Sequence, residues 1–215
     1  MPAEVKICGL STPETVDQAV AAGADFIGLV FFPKSPRNVT LPKAAALAAR
    51  ARGKSRIVAL VVNADDALLT AIARTVDPDF IQAHGSETPE RVAEIGRLTG
   101  KPVIKAIQVK DAGDIASGVD YSRVASLILY DAKAPETLGS ALPGGNGHAF
   151  DWGLLEGARR PAFMLAGGLN PENVAEAIRV TGAPVVDVSS GVESAPGVKD
   201  IGLIRKFIEA AKAAR

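Results

Sequence analysis

Val5-Lys6-Ile7-Cys8-Gly9 puts a charged residue and the only cysteine of a 215-residue chain into one short apolar strand. Period-two alternation sends Lys6 and Cys8 to one face, Val5 and Ile7 to the other. If the apolar pair meets a layer of helices, Lys6 and Cys8 face the middle of a sheet, with Cys8 at its carboxyl edge. Open α/β and barrel folds keep their chemistry at that edge. Cys8 therefore reads two ways: as a reagent, or as a small buried residue, free cysteine being among the most buried types.

Outward from this strand, strand-like and helix-like stretches alternate. Ser11-Thr12-Pro13-Glu14 starts a helix that stops at Gly23. Asp25 to Phe31 is a second buried strand, and the turn-rich loop Phe32 to Val39 leads to an alanine-rich helix over Pro42 to Ala51. Arg56 to Val62 is an Ile/Val/Leu run of the kind buried on both faces, followed by a helix over Asp65 to Thr75. Further strands are expected at Phe80 to Gly85, Pro102 to Ile107, Ala125 to Asp131, Ala162 to Ala166 and Val185 to Val188. Helices are expected from Thr88 to Gly100, Asp111 to Ser117, Asp151 to Leu155, after Glu172 to Val180, and Ile201 to Ala211, with a longer irregular stretch over Ala132 to Phe150. Eight βα units whose crossovers are too short for an inserted domain predict an α/β fold, a single (β/α)8 TIM barrel with residues 1–215 as one domain.

Composition agrees. Nearly half the residues are apolar but few are aromatic, which describes an aliphatic α/β core. Basic and acidic residues balance at 24 each and no basic run occurs, so the charge gives no footprint for nucleic acid or an anionic membrane. A small molecule is the expected partner. One cysteine excludes an intramolecular disulfide, and with no charged-then-apolar leader or long apolar span the expected compartment is the cytoplasm.

Closing the barrel makes the last strand a neighbour of the first. Lys6 lies one layer below Cys8 and Asp187 one layer below Ser189, so the two charges are expected to pair inside the barrel and favour the Cys8 thiolate. The alternative turns one of them to solvent. Gly167-Gly168 and Ser189-Ser190-Gly191 follow strands seven and eight, where barrels hold phosphate; either motif alone is an ordinary turn, and their joint position predicts a phosphorylated substrate. Asp131 shares a face with Leu127 and Leu129 and points into the mouth across from Cys8, an acid–base arrangement, unless it caps the following loop. Arg37 either clamps a substrate carboxylate or is solvated. Gln82 and His84 share a strand face; two histidines in the whole chain make no metal cluster, and Trp152 reads as packing.

Lys6-Ile7-Cys8-Gly9-Leu10, Phe32-Pro33-Lys34-Ser35-Pro36-Arg37, Ile81-Gln82-Ala83-His84-Gly85, Tyr130-Asp131, Gly144-Gly145-Asn146-Gly147 before Phe150-Asp151-Trp152, Ala166-Gly167-Gly168-Leu169-Asn170-Pro171-Glu172 and Asp187-Val188-Ser189-Ser190-Gly191-Val192-Glu193 together resemble the phosphoribosylanthranilate isomerases of tryptophan biosynthesis. The resemblance runs from end to end. It implies an Amadori rearrangement of N-(5-phosphoribosyl)anthranilate to 1-(2-carboxyphenylamino)-1-deoxyribulose 5-phosphate, an aldose–ketose isomerisation without metal or organic cofactor. It further implies Asp131 as general acid, Cys8 as general base, Arg37 on the anthranilate carboxylate, Gln82 and His84 beside the substrate, and the Gly167-Gly168 and Ser189-Ser190-Gly191 loops on the phosphate. The family pattern usually has a leucine where Ala83 stands and Ser or Thr where Asn146 stands. A synthase of the indole-glycerol-phosphate type, a metal-using epimerase, or a binding protein that lost its chemistry would share the phosphate loops; Cys8 with Asp131 fits none of them as well. An aliphatic barrel of this size is monomer or homodimer.

Overall fold

Eight parallel strands close into a barrel in chain order, β1 to β8, with β8 back beside β1. The structure is a computed structural model and describes residues 2–132, 151–155 and 163–214. The strands are β1 (Glu4–Cys8), β2 (Phe26–Phe31), β3 (Arg56–Val61), β4 (Phe80–Ala83), β5 (Val103–Val109), β6 (Leu127–Ala132), β7 (Phe163–Leu165) and β8 (Val185–Val188). Between them run α1 (Pro13–Ala21), α2 (Leu41–Ala51), α3 (Asp66–Thr75), α4 (Pro89–Thr99), α5 (Ala112–Tyr121) and α6 (Val174–Thr181), and α7 (Ile201–Ala213) closes the chain.

Local chemistry explains the ends. Thr12, Asp65, Thr88 and Asp200 each accept a hydrogen bond from a first-turn amide, and Gly100 and Gly182 stop α4 and α6 in the left-handed conformation. Asp111 and Asp114 cap α5 reciprocally. That helix continues past Ser117, where the sequence reading ends it. Gly118 does not break it: a Cβ there would stand 2.4 Å from the Tyr130 hydroxyl, which donates to Ile115 O at 3.2 Å. The glycine is a packing residue, not a stop. The helix expected at Asp151 to Leu155 is a 3-10 turn over Trp152–Leu155, with Trp152 against the core. The stretch Ala132 to Phe150, with Asn146 and His148, lies outside the described residues beyond Ala132. One element was not foreseen, an antiparallel hairpin after β8 made of β9 (Glu193–Ala195) and β10 (Val198–Lys199).

Two apolar layers result from strand alternation. The larger packs outward-facing residues such as Val5, Ile7, Ile27 and Val186 against the helices. The smaller fills the barrel with Phe26, Val58, Ile104, Leu129, Met164 and Val185. Polar side chains share this inward face. Lys6 pairs in register with Asp187, and Lys6 Nζ donates to Asp187 Oδ2 at 2.7 Å with no exposure of the lysine. The expected seam contact is therefore present. Burial alone lowers the Lys6 pKa, but Asp187 and Cys8 more than offset it and the ammonium is held above its usual range.

Removing one partner of such a pair leaves an uncompensated buried charge. Lys6→Met is expected to lower unfolding free energy by about 3–5 kcal/mol, and Lys6→Met/Asp187→Leu to restore most of it. Denaturant titration checks this; a single-variant loss below about 1 kcal/mol, the range of an exposed pair, contradicts it.

Candidate active site

At the carboxyl ends of the strands an open cavity is lined by Cys8, Val30, Phe32, Ser35, Arg37, Leu60, Val62, His84, Asp131, Ala166, Gly167, Gly168, Leu169, Asp187, Val188, Ser189 and Ser190. The strand register brings them together. Cys8 and Asp131 arrive from β1 and β6, so the two candidate acid–base groups face one space. Val30, Phe32, Leu60 and Val62 form an apolar wall on the side of Arg37.

Cys8 is 4% exposed. It pairs with Gly28 across the strands, and a Cβ at Gly28 would come within 2.8 Å of Cys8 Sγ and 3.0 Å of its Cα. The thiol occupies the space that glycine leaves. Burial pushes the Cys8 thiol above its usual pKa; Lys6 and Lys199 pull it down without cancelling that cost. The expectation that Lys6 favours thiolate is thus right in sign and outweighed in net effect. Asp187, likewise pushed up by burial and pulled back by Lys6, has Oδ1 without a partner among the described residues.

Asp131 is held by its neighbours. Gln82 Nε2 donates to His84 Nδ1 at 2.8 Å, which leaves the ring proton on Nε2, 3.2 Å from Asp131 Oδ2. His84 lines the cavity; Gln82 is fully buried behind it and does not. Of the two, the structure thus places the histidine at the cavity and the glutamine one layer deeper. A second buried pair steadies this corner: Lys105 Nζ donates to Glu87 Oε2 at 2.7 Å, and Glu87 accepts the amides of Asn63 and Gly85. Burial raises the Glu87 carboxyl, yet Lys105 and the backbone amides of Asn63 and Glu87 itself hold it below its usual range.

The two glycine loops meet closely. Gly167, at φ 88°, lies so near the end of β6 that a Cβ would stand 2.3 Å from Ala132 N. A Cβ on Gly191 would stand 1.9 Å from Leu169 O. Only glycine allows either approach. Gly167, Gly168, Ser189 and Ser190 line the cavity, whereas Gly191 stands behind them against the loop after β7 and is not a lining residue. Ser189 Oγ donates to Cys8 O at 3.2 Å, tying this loop to β1. Arg37 is buried, not solvated: its Nε and Nη2 donate to Glu193 at 2.7 and 2.8 Å.

A family model for N-(5'-phosphoribosyl)anthranilate (PRA) isomerase matches residues 5–210. The chain belongs to that family. The N-(5'-phosphoribosyl)anthranilate isomerase of Rhodopseudomonas palustris (strain BisA53) is 56% identical over 214 residues, 99% of this chain and 97% of the relative. A crystal structure of phosphoribosyl anthranilate isomerase in complex with reduced 1-(O-carboxyphenylamino)-1-deoxyribulose 5-phosphate superposes with TM-score 0.84 at 34% identity, covering 98% of each chain. Mutually generated monomers of the dimeric Thermotoga maritima enzyme give TM-score 0.83 at 34% identity, again over 98% of each chain.

Three residues around the family's site escaped the sequence reading. Gly28 interrupts an apolar strand in register with Cys8, a signal of close approach. Glu193 and Lys199 flank the turn of the β9–β10 hairpin, and their side chains are 4% and 1% exposed. Gly28→Ala is expected to displace the thiol and lower turnover at least about tenfold while the circular dichroism spectrum is kept, a small misplacement of a reacting group costing this much or more. Unchanged turnover would show that the thiol has room elsewhere.

Proposed function

We propose that this barrel catalyses the Amadori rearrangement of N-(5-phosphoribosyl)anthranilate to 1-(2-carboxyphenylamino)-1-deoxyribulose 5-phosphate, with Asp131 as general acid and Cys8 as general base. The observation that carries the reading is that Cys8 and Asp131 face one cavity whose ends differ, two glycine loops on one side and a buried arginine beside an apolar wall on the other. The phosphate belongs with Gly167, Gly168, Ser189 and Ser190, backed by Gly191; the anthranilate ring with the wall of Val30, Phe32, Leu60 and Val62; its carboxylate with Arg37. The ribosyl group then lies between the acid and the base.

In the first step Asp131 gives a proton to the furanose ring oxygen. The C1–O bond breaks as the nitrogen lone pair forms C1=N, leaving a protonated Schiff base and a C4 hydroxyl. The Cys8 thiolate next takes the proton from C2, and the released electron pair forms C1=C2 and neutralises the nitrogen. The resulting enolamine becomes the ketone when its C2 hydroxyl loses a proton and C1 gains one. No electron leaves the substrate, so the chemistry needs no redox partner. His84 holds Asp131 in place from the side, with Gln82 fixing its tautomer.

The balanced charge favours a small molecule over a nucleic acid as partner, and the apolar wall fits its aryl ring. Among the described residues no helix is long and apolar enough to cross a membrane. The reading extends to one domain over residues 1–215 acting in the cytoplasm, as monomer or homodimer; the dimeric relative supports the latter.

Cys8→Ser and Asp131→Asn are each expected to lower turnover by about 100- to 10,000-fold with the fold retained, measured as the loss of substrate fluorescence. Near-normal turnover in either variant removes that residue from its role. Because burial raises the Cys8 thiol, its alkylation by iodoacetamide in the free protein is expected to keep rising with pH beyond the ordinary thiol value, the thiolate being the nucleophile. A plateau reached near neutral pH would mean that the thiol is depressed instead.

A further inference from the structure

Arg37 is placed by three constraints that the acid–base chemistry does not require. Its stem lies across Gly9, where a Cβ would stand 2.6 Å from Arg37 Cδ. Its Nε–Nη2 edge is taken by both oxygens of Glu193. Glu193 is itself pinned, Oε1 accepting from Lys199 Nζ at 2.7 Å and Oε2 from Gly197 N at 3.1 Å. Gly197, at φ 82°, brings the turn between β9 and β10 against the Arg37 loop, with a Cβ there only 2.8 Å from Pro36 O.

The cluster holds two cations and one carboxylate. Glu193 is ionised: burial pushes its carboxyl up, but Arg37 and Lys199 bring it below the usual range. Lys199 Nζ also donates to Ser189 O at 2.8 Å, so the hairpin grips the last strand's loop as well. With the side edge of the guanidinium occupied, Nη1 makes no hydrogen bond among the described residues. The end edge, Nη1 with Nη2, is what remains for a second carboxylate, and a guanidinium accepts two carboxylates on different edges in this way.

We infer that Glu193, steadied by Lys199 on the β9–β10 hairpin, is a positioning residue that aims the Nη1–Nη2 edge of Arg37 into the cavity and thereby sets selectivity for an aryl group bearing a carboxylate. The inference rests on the reading that Arg37 binds the anthranilate carboxylate. It makes the hairpin after β8 a specificity element for a ring bound beside β2 and β3. A guanidinium without the clamp has its rotamers to lose on binding, a cost that the folded protein has already met here.

The test compares two substrates, the phosphoribosyl derivative of anthranilate and that of aniline, which differ by the carboxylate alone. Both are made by condensing the amine with ribose 5-phosphate, and the ketose product is measured. For Glu193→Gln the ratio of kcat/KM between the two is expected to fall about 10- to 100-fold, mainly through KM of the carboxylated substrate, the range for losing a well-placed charge-assisted hydrogen bond. Glu193→Asp keeps the charge but not the reach to both nitrogens, and is expected to fall between Glu193→Gln and the parent; it also serves if Glu193→Gln does not fold. Equal losses on both substrates in these variants would make Glu193 merely structural and overturn the inference. Arg37→Met separates the underlying reading: if it leaves the ratio unchanged, Arg37 does not bind the carboxylate and both fail. If it abolishes the ratio while the Glu193 variants preserve it, only the positioning role falls.

Discussion

The site depends on one buried contact, Lys6 Nζ on Asp187 Oδ2 at the seam where the last strand meets the first. A barrel closes only if strand eight finds strand one in a single register, and a slip of one residue would turn every side chain to the opposite face. Two charges that are costly to bury apart and tolerable together penalise every other register. With Lys6 opposite Asp187, Cys8 stands beside Ser189. The thiol, the serine loop and the glycine loop after β7 then share one rim.

Above this seam the rim is built from close approaches and charge clusters. Gly28 leaves room for the thiol, Gly9 for the Arg37 stem, and Gly167 and Gly191 bring the two glycine loops against their neighbours. Ion pairs fix what the glycines admit. Lys6 with Asp187 lies under the cavity, Lys105 with Glu87 under the loop after β4, and Arg37, Glu193 and Lys199 join the loops after β2 and β8. Side chains locked this way have little freedom left to lose when a ligand arrives.

Burial has a chemical consequence as well. The same dry surroundings that strengthen the ion pairs raise the Cys8 thiol, because two nearby ammonium groups offset only part of its desolvation. A base that is weakly ionised when free is a strong proton acceptor once ionised. The arrangement therefore exchanges population of the reactive form for its basicity, and it keeps the only cysteine away from solvent oxidants.

Much of this was legible in the sequence, because strand periodicity and helix caps are local. The alternation in Val5 to Cys8, the buried run at β3, the capping threonines and aspartates and the stop at Gly100 fix element type without long-range information. They also put Cys8, Asp131 and the glycine loops at strand ends. What lies in three dimensions was not legible. Nothing near Glu193 or Lys199 distinguishes them from solvated charges, since their burial comes from packing against a loop some 160 residues away. Gln82 and His84 share a face by alternation, yet only the barrel's curvature puts one behind the other. The sequence by itself determined the order of elements and the residues that reach the rim; the tertiary structure decided which of them touch, because ion pairing, close approach and desolvation depend on distances across the closed barrel.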